Sequence, residues 1–193
     1  MTVLPCTDET LDAVAALLNR GGVAVIPTDT VYGLAAHPAF PEAVERLYTI
    51  KGREAKKPIA LLAADLAAVT SFGAALPVAA ANLAQQHWPG ALTLVLPVSP
   101  QLSTPSFEGF RVPDHDWTRR LLAACGGVLR VTSANLSGQR PATDAPQALK
   151  DIGLDADVVV DDGVSPGGIA STVVKVSPTD DLQILRQGGV KID

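Results

Sequence analysis

Residues 21–52 read GGVAVIPTDTVYGLAAHPAFPEAVERLYTIKG, and the order of signals within them decides the fold class. Val23–Pro27 (VAVIP) is a short apolar run without polar alternation, the pattern of a strand buried on both faces. Thr28–Leu34 (TDTVYGL) reads as a polar turn with a glycine. Pro41 suits a first helical position, and a helix is predicted from there to Lys51, with Leu47 and Ile50 toward the core. The alternation continues on both sides. Upstream, Leu11, Val14, Ala15, Leu17 and Leu18 recur at helical spacing within 7–20, with Thr7 or Asp8 as cap and Gly21-Gly22 as stop. Downstream, Pro58–Ala63, Leu92–Leu96, Gly109–Val112, Val128–Thr132, Val158–Val160, Thr172–Val176 and Leu182–Arg186 are predicted strands. Helices are predicted over 65–71, 78–87 and 115–124, the last capped by Asp114. Asp144 with Gln147 gives a capping-box signal for one more. The Pro/Gly-rich stretches 97–109 and 138–146 read as loops. Interleaved helices and apolar strands predict an α/β fold with a mixed sheet, in one domain over 1–193.

Composition removes several classes. The chain has 193 residues, 47% hydrophobic and 18% charged, which excludes disorder and supports a sizeable core. Aromatics are only 4%, so that core is built from Ala, Val, Leu and Ile. No apolar run is long enough for a transmembrane helix, and MTVLPCTDETLD lacks a secretion signal. A cytoplasmic location with no membrane association is expected. Cys6 and Cys125 form no CxxC pair, so disulfide scaffolds and zinc ribbons are excluded, and neither cysteine is expected to be catalytic. The net charge of −5 opposes a general nucleic-acid coat. Residues 46–57 (RLYTIKGREAKK) nevertheless carry five basic side chains and one acidic one.

The familiar motifs are missing. There is no GxxxxGK[ST], no GxGxxG after a strand, no HExxH and no cluster of Cys and His in sequence. His37, His87 and His115 are scattered, and surface or capping roles are expected for His87 and His115. Polar clusters remain at strand ends: Thr28/Asp29/Thr30/Tyr32, Lys51/Arg53/Lys56/Lys57, Arg111, Ser133/Asn135/Ser137, Ser171/Thr172 and Arg186. Ligands bind where the strands of an α/β sheet stop. Cations converging with hydroxyl and amide groups suit a polyanion and suit phosphoryl or nucleotidyl transfer, which needs positioning and charge neutralisation.

Seven motifs then occur in order: Pro27–Leu34 (PTDTVYGL), Lys51-Gly52-Arg53 with Lys57-Pro58, Trp88–Thr93 (WPGALT), Arg111-Val112-Pro113, Ser133–Gly138 (SANLSG), Ser171-Thr172-Val173 and Leu185–Gly188 (LRQG). Over about residues 8–189 the chain resembles the YrdC/Sua5 family, the L-threonylcarbamoyladenylate synthases. The resemblance implies a twisted sheet around a deep, basic central cavity. It implies a nucleotidyltransferase that joins L-threonine, bicarbonate and ATP into threonylcarbamoyl-AMP and releases pyrophosphate. The product would serve threonylcarbamoyladenosine modification of tRNA beside the anticodon, through a separate tRNA threonylcarbamoyl transferase complex, with tRNA contact by this chain weak or indirect. Magnesium is expected with ATP, and no ligand for it can be assigned.

By the same resemblance, Thr30, Tyr32, Arg111 and Ser171 are expected to bind threonine. Lys51, Arg53, Lys57, Ser133, Asn135 and Arg186 are expected to bind ATP, with Lys51 and Arg53 as the catalytic pair. An arginine fork is well matched to a carboxylate. Thr28 and Asp29 read as turn residues and Lys56 as solvated. Some members carry a histidine where this chain has Leu61-Leu62, so its threonine pocket differs in detail. The chain ends at Asp193, soon after LRQGG, and so resembles the short, single-domain bacterial members. The alternatives are a YrdC-like module that forms a carbamoyl-adenylate for another acceptor, and a non-catalytic RNA-binding module.

Overall fold

The apolar run that opens the sequence argument forms strand β2 (Val23–Ile26), every residue of it buried. The computed structural model describes residues 2–52, 58–98, 107–152 and 155–192. Within them β1 (Thr2–Pro5) and α1 (Asp8–Leu18) precede β2, and β3 (Gly33–Ala36), α2 (Pro41–Lys51), β4 (Leu61–Ala63), α3 (Leu66–Ser71) and α4 (Val78–His87) follow it. The chain continues through β5 (Leu92–Pro97), β6 (Phe107–Arg111), α5 (Asp116–Ala124), β7 (Val128–Ser133), α6 (Ala145–Asp151), β8 (Val158–Asp161), β9 (Thr172–Val176) and β10 (Leu182–Arg186). The strands form one ten-stranded sheet in the order β1-β8-β2-β3-β7-β4-β6-β5-β9-β10. The pairs β1/β8, β2/β8, β4/β6 and β5/β9 are parallel. The other pairs are antiparallel, so the sheet is mixed, as predicted.

Two strands lie outside the sequence expectation. β1 falls in the acidic N-terminal stretch and is largely exposed, so it carries no burial signature. β3 begins inside the stretch Thr28–Leu34 predicted as a turn and runs two residues beyond it. GLAA has no β-branched residue, and its strand state comes from pairing with β2 and β7 on its two sides. Helix α5 is capped by His115 rather than Asp114: His115 Nδ1 accepts from Thr118 N at 3.2 Å. The Asp144 cap holds as read, with Oδ1 accepting from Gln147 N at 2.8 Å.

Strand alternation divides the core. Ala24, Ile26, Val158 and Val160 face α1 and α5 with Leu11, Leu18, Trp117 and Leu121. Val23, Val25 and Val159 face α2 and α6 with Leu47 and Ala148. On the other half of the sheet, Leu92, Leu94, Leu96, Phe110 and Val174 pack with Val69, Ala80 and Ala84 of α3 and α4. The intervening residues Thr93, Val95, Gly109, Arg111 and Val173 point to the opposite face, where they line a cavity. Period-two alternation thus builds core and binding wall from the same three strands.

Leu94 is fully buried, whereas Leu182 on the edge strand β10 is 45% exposed. Leu94→Ala should cost about 2–5 kcal/mol in urea unfolding. Leu182→Ala should stay within about 0.5 kcal/mol. Equal costs would contradict the assigned faces.

Candidate active site

The cavity has a volume of about 420 Å³. Strand ends and two turns supply its polar wall: Thr28 and Thr30 after β2, Thr93 on β5, Arg111 at the end of β6, Ser171 before β9 and Arg186 at the end of β10. Ile59, Leu62, Val95, Val131, Val173 and Leu185 supply apolar surface. Besides Tyr32, the titratable side chains among the described lining residues are the two arginines, which gives this wall its basic character.

Arg111 organises one end. Its side chain is 7% exposed. Nη1 donates to Thr30 Oγ1 at 2.7 Å and Nε to Gly90 O at 2.9 Å. Nη2 forms an ion pair with Asp29. Burial pushes the guanidinium below its ordinary pKa, Asp29 opposes that shift, and Arg186 adds to it. Asp114 and Asp116, close in sequence, pair instead with Arg119.

The TDT turn is built to present these partners. Thr28 Oγ1 donates to Val31 O at 2.7 Å and accepts from Thr30 N at 3.1 Å, a hydroxyl-stabilised turn. The segment 162–170 then lies across it, Gly167 N donating to Asp29 O at 3.0 Å and Gly168 N to Thr30 O at 2.8 Å. A Cβ at Gly167 would sit 2.6 Å from Asp29 O, so only glycine permits this approach. Tyr32, fully buried, clamps the start of the same segment. Its Oη donates to Gly163 O at 2.7 Å and accepts from Asp162 N at 3.0 Å. Burial is the main cause that pushes the phenol up to about 12.

At the other end, Ser171 Oγ lies 2.7 Å from Thr93 Oγ1. Arg186 Nη2 donates to Ser171 O at 2.8 Å and to Ser171 Oγ at 3.2 Å. The LRQG glycine is steric: a Cβ on Gly188 would collide with the backbone of Ala170 and Ser171. Thr172 Oγ1 accepts from Gly188 N at 2.9 Å, which ties this C-terminal turn to the serine beside the cavity.

Ser133 lines the cavity, but Lys51 and Asn135 are set behind it. The Lys51 ammonium, 3% exposed as a residue, donates to Ser133 O at 2.5 Å and to Asn135 O at 2.6 Å. Asn135 Oδ1 lies 3.3 Å from the same ammonium, and Nδ2 donates to Leu136 O at 2.8 Å and Gln139 O at 2.9 Å. Both side chains fold the SANLSG turn. Arg53 and Lys57, expected at the phosphates, and Lys56 lie outside the described residues.

Residues 16–188 match the Sua5/YciO/YrdC family model, whose description reads "Telomere recombination". The chain belongs to the Sua5/YciO/YrdC family. It is 34% identical to a Bacillus subtilis threonylcarbamoyl-AMP synthase, over 97% of this chain and 56% of that protein. A bovine threonylcarbamoyl-AMP synthase is 35% identical over 93% of this chain and 68% of its own length. A Pyrococcus abyssi Sua5 structure complexed with L-threonine superposes with a TM-score of 0.90 at 28% identity, covering 96% of this chain and 57% of that one. The chain spans little more than half the length of the Bacillus and Pyrococcus relatives. Among the described residues, no helix is long and apolar enough to cross a membrane.

Within this family fold, Thr30, Tyr32, Arg111, Ser133, Ser171 and Arg186 all come to one cavity. Sequence reasoning missed Asp29 as the partner of Arg111 and Thr93 as the partner of Ser171. Thr93 left a signal, a polar residue at the alternate position of the apolar strand LTLVL. Asp29 left none beyond its place in the turn. Burial pushes the Cys125 thiol up to about 11, away from the thiolate a nucleophile needs.

Cys125 and Tyr32 both hold their protons more tightly folded than unfolded. Above the ordinary thiol value of 9.0 the unfolded chain therefore loses protons that the folded chain keeps. Stability should fall as pH rises from about 9 to about 11. Scanning Tm across that range checks this, and a Tm independent of pH there would contradict it.

Proposed function

We propose that this cavity forms threonylcarbamoyl-AMP from L-threonine, bicarbonate and ATP. The observation that carries the reading is the buried guanidinium of Arg111 at a strand end. Among the described residues it donates three of its N–H groups to Thr30, Asp29 and Gly90. A guanidinium has five, so two remain for a ligand. A fixed fork in a wall with hydroxyl neighbours matches an amino-acid carboxylate. The Sua5 structure with L-threonine, on the same fold, supports this choice.

Two bond changes are required. The threonine amine attacks bicarbonate, a C–N bond forms and water leaves, giving an N-carboxylate. A carbamate oxygen then attacks the α-phosphorus of ATP, and the bond from that phosphorus to the bridging oxygen breaks to release pyrophosphate. The chain contributes position and charge rather than a covalent intermediate. Arg111 fixes the threonine carboxylate, Thr30 and Ser171 supply hydroxyl contacts, and Tyr32 holds the segment that crosses the TDT turn. Ser133 and Arg186 face the nucleotide. Lys51 and Asn135 act by shaping the turn that carries Ser133, and Arg53 and Lys57 are assigned to the phosphates.

No carboxylate is found among the described cavity-lining residues, and Asp29 is engaged by Arg111. These residues do not fit a protein-held magnesium site, so any magnesium is assigned to the ATP phosphates and no step is routed through it. The product would pass to a tRNA threonylcarbamoyl transferase complex, with direct tRNA contact weak.

The test is pyrophosphate release with ATP, magnesium, bicarbonate and single amino acids. Release should require both bicarbonate and threonine. Serine lacks one methyl group and should be disfavoured by about 10–200-fold. Arg111→Lys should lose tenfold or more in kcat/KM for threonine. Release without an amino acid, or with carbamoyl phosphate replacing threonine and bicarbonate, would contradict the proposal and favour a module with another acceptor.

A further inference from the structure

Three side chains remote in sequence meet at the start of the segment that Tyr32 clamps. Cys6 follows β1, His115 is the N-cap of α5, and Asp162 follows β8. Each offers one ligand atom, and these atoms lie within 4.8 Å of one another. His115 Nε2 is 2.9 Å from Asp162 Oδ2. None of the three lines the cavity. The sequence holds no Cys/His cluster, but the fold assembles one across 156 positions of chain, from 6 to 162.

We propose that Cys6 Sγ, His115 Nε2 and Asp162 bind one zinc-like divalent cation, with a fourth position open to solvent. One sulfur, one imidazole nitrogen and one carboxylate oxygen form a donor set suited to zinc. Zinc bonds of about 2.0–2.3 Å place tetrahedral donor atoms roughly 3.3–3.8 Å apart. The His–Asp pair must open slightly and the widest pair close by about 1 Å, shifts within reach of side-chain rotation.

The supporting groups are already placed. Cys6 N donates to Asp161 O at 2.9 Å, and Asp162 N donates to Tyr32 Oη at 3.0 Å, so both ligand backbones are pinned. Behind the imidazole, Nδ1 lies 2.9 Å from Thr118 Oγ1, which donates to Pro27 O at 2.8 Å. With a cation on Nε2 the imidazole proton would move to Nδ1, which would then donate to Thr118 Oγ1, 2.9 Å away, and give up the cap bond it accepts from Thr118 N in the metal-free form. The relay to Pro27 O then fixes the ring, as second-sphere partners of metal-bound histidines do. The Asp162 carboxylate, 46% exposed, gives an entry path. A carboxylate beside a thiol opposes a thiolate nucleophile, whereas a bound cation makes both ligands favourable.

The experiment uses the full reduced chain, stripped of metal and without nucleotide, titrated with Co²⁺ and then Zn²⁺. Wild type should take up one Co²⁺ per chain, with a thiolate-to-cobalt charge-transfer band that Zn²⁺ removes. Cys6→Ser should abolish the band and weaken Zn²⁺ binding by about 100-fold or more. Asp162→Asn, at an exposed position, should weaken binding while leaving Tm in chelator unchanged. Thr118→Val keeps all three ligands and should cost about 10–100-fold. Absence of the band and of saturable binding in wild type overturns the proposal. So does binding that is equal in wild type, Cys6→Ser and His115→Gln. Because no nucleotide or threonine is present, these outcomes are independent of the reaction at the cavity.

Discussion

Arg111 carries a positive charge into a wall where its side chain is 7% exposed, and the surrounding structure answers that cost. An unpaired buried charge would destabilise the protein by several kcal/mol. Compensation comes from three separate stretches: Asp29 and Thr30 in the TDT turn, Gly90 O in the WPG turn, and β6 itself, which fixes where the guanidinium emerges. Each depends on another contact. The TDT turn is closed by Thr28 and crossed by Gly167 and Gly168. The WPG turn is held by Gly90 N donating to Val112 O at 2.8 Å, next to Arg111 in the chain. Motifs far apart in sequence are parts of one solution to burying a cation in the cavity wall.

The same economy governs the sheet. β5, β6 and β9 show leucines, Phe110 and Val174 to α3 and α4, and show Thr93, Arg111 and Val173 to the cavity. The site therefore lies on rigid strands and their ends, a placement that favours precise positioning. Exposed β10 brings Arg186 to Ser171, and Gly188 and Thr172 hold the turn after it against the start of β9.

Much of this was legible in the sequence because it depends on local pattern. VAVI, LTLVL and VLRVT announce buried strands, and Pro41 and Asp144 announce helix starts. Gly33–Ala36 was not legible, because its strand state is imposed by neighbours on both sides. The polar clusters at strand ends pointed to the site, and six of the expected residues line it. The bonds that tie the Lys51 ammonium to Ser133 O and Asn135 O join residues 82 and 84 positions apart, and charge and amide character in sequence do not announce them. Asp29 as a partner of Arg111, and the meeting of Cys6, His115 and Asp162, arise from tertiary contacts over long separations, which no local pattern encodes.

The central claim is that the Arg111 end of the cavity reads a carboxylate. Changing the ligand tests it without disturbing the fold. Calorimetric titration of the nucleotide-free protein with L-threonine and with L-threonine amide, which lacks the anionic oxygen, isolates that group. Loss of a charge-assisted contact should weaken the amide by tenfold or more. Equal affinity for the two ligands would show that Arg111 serves Asp29 and the fold alone, and would contradict the account.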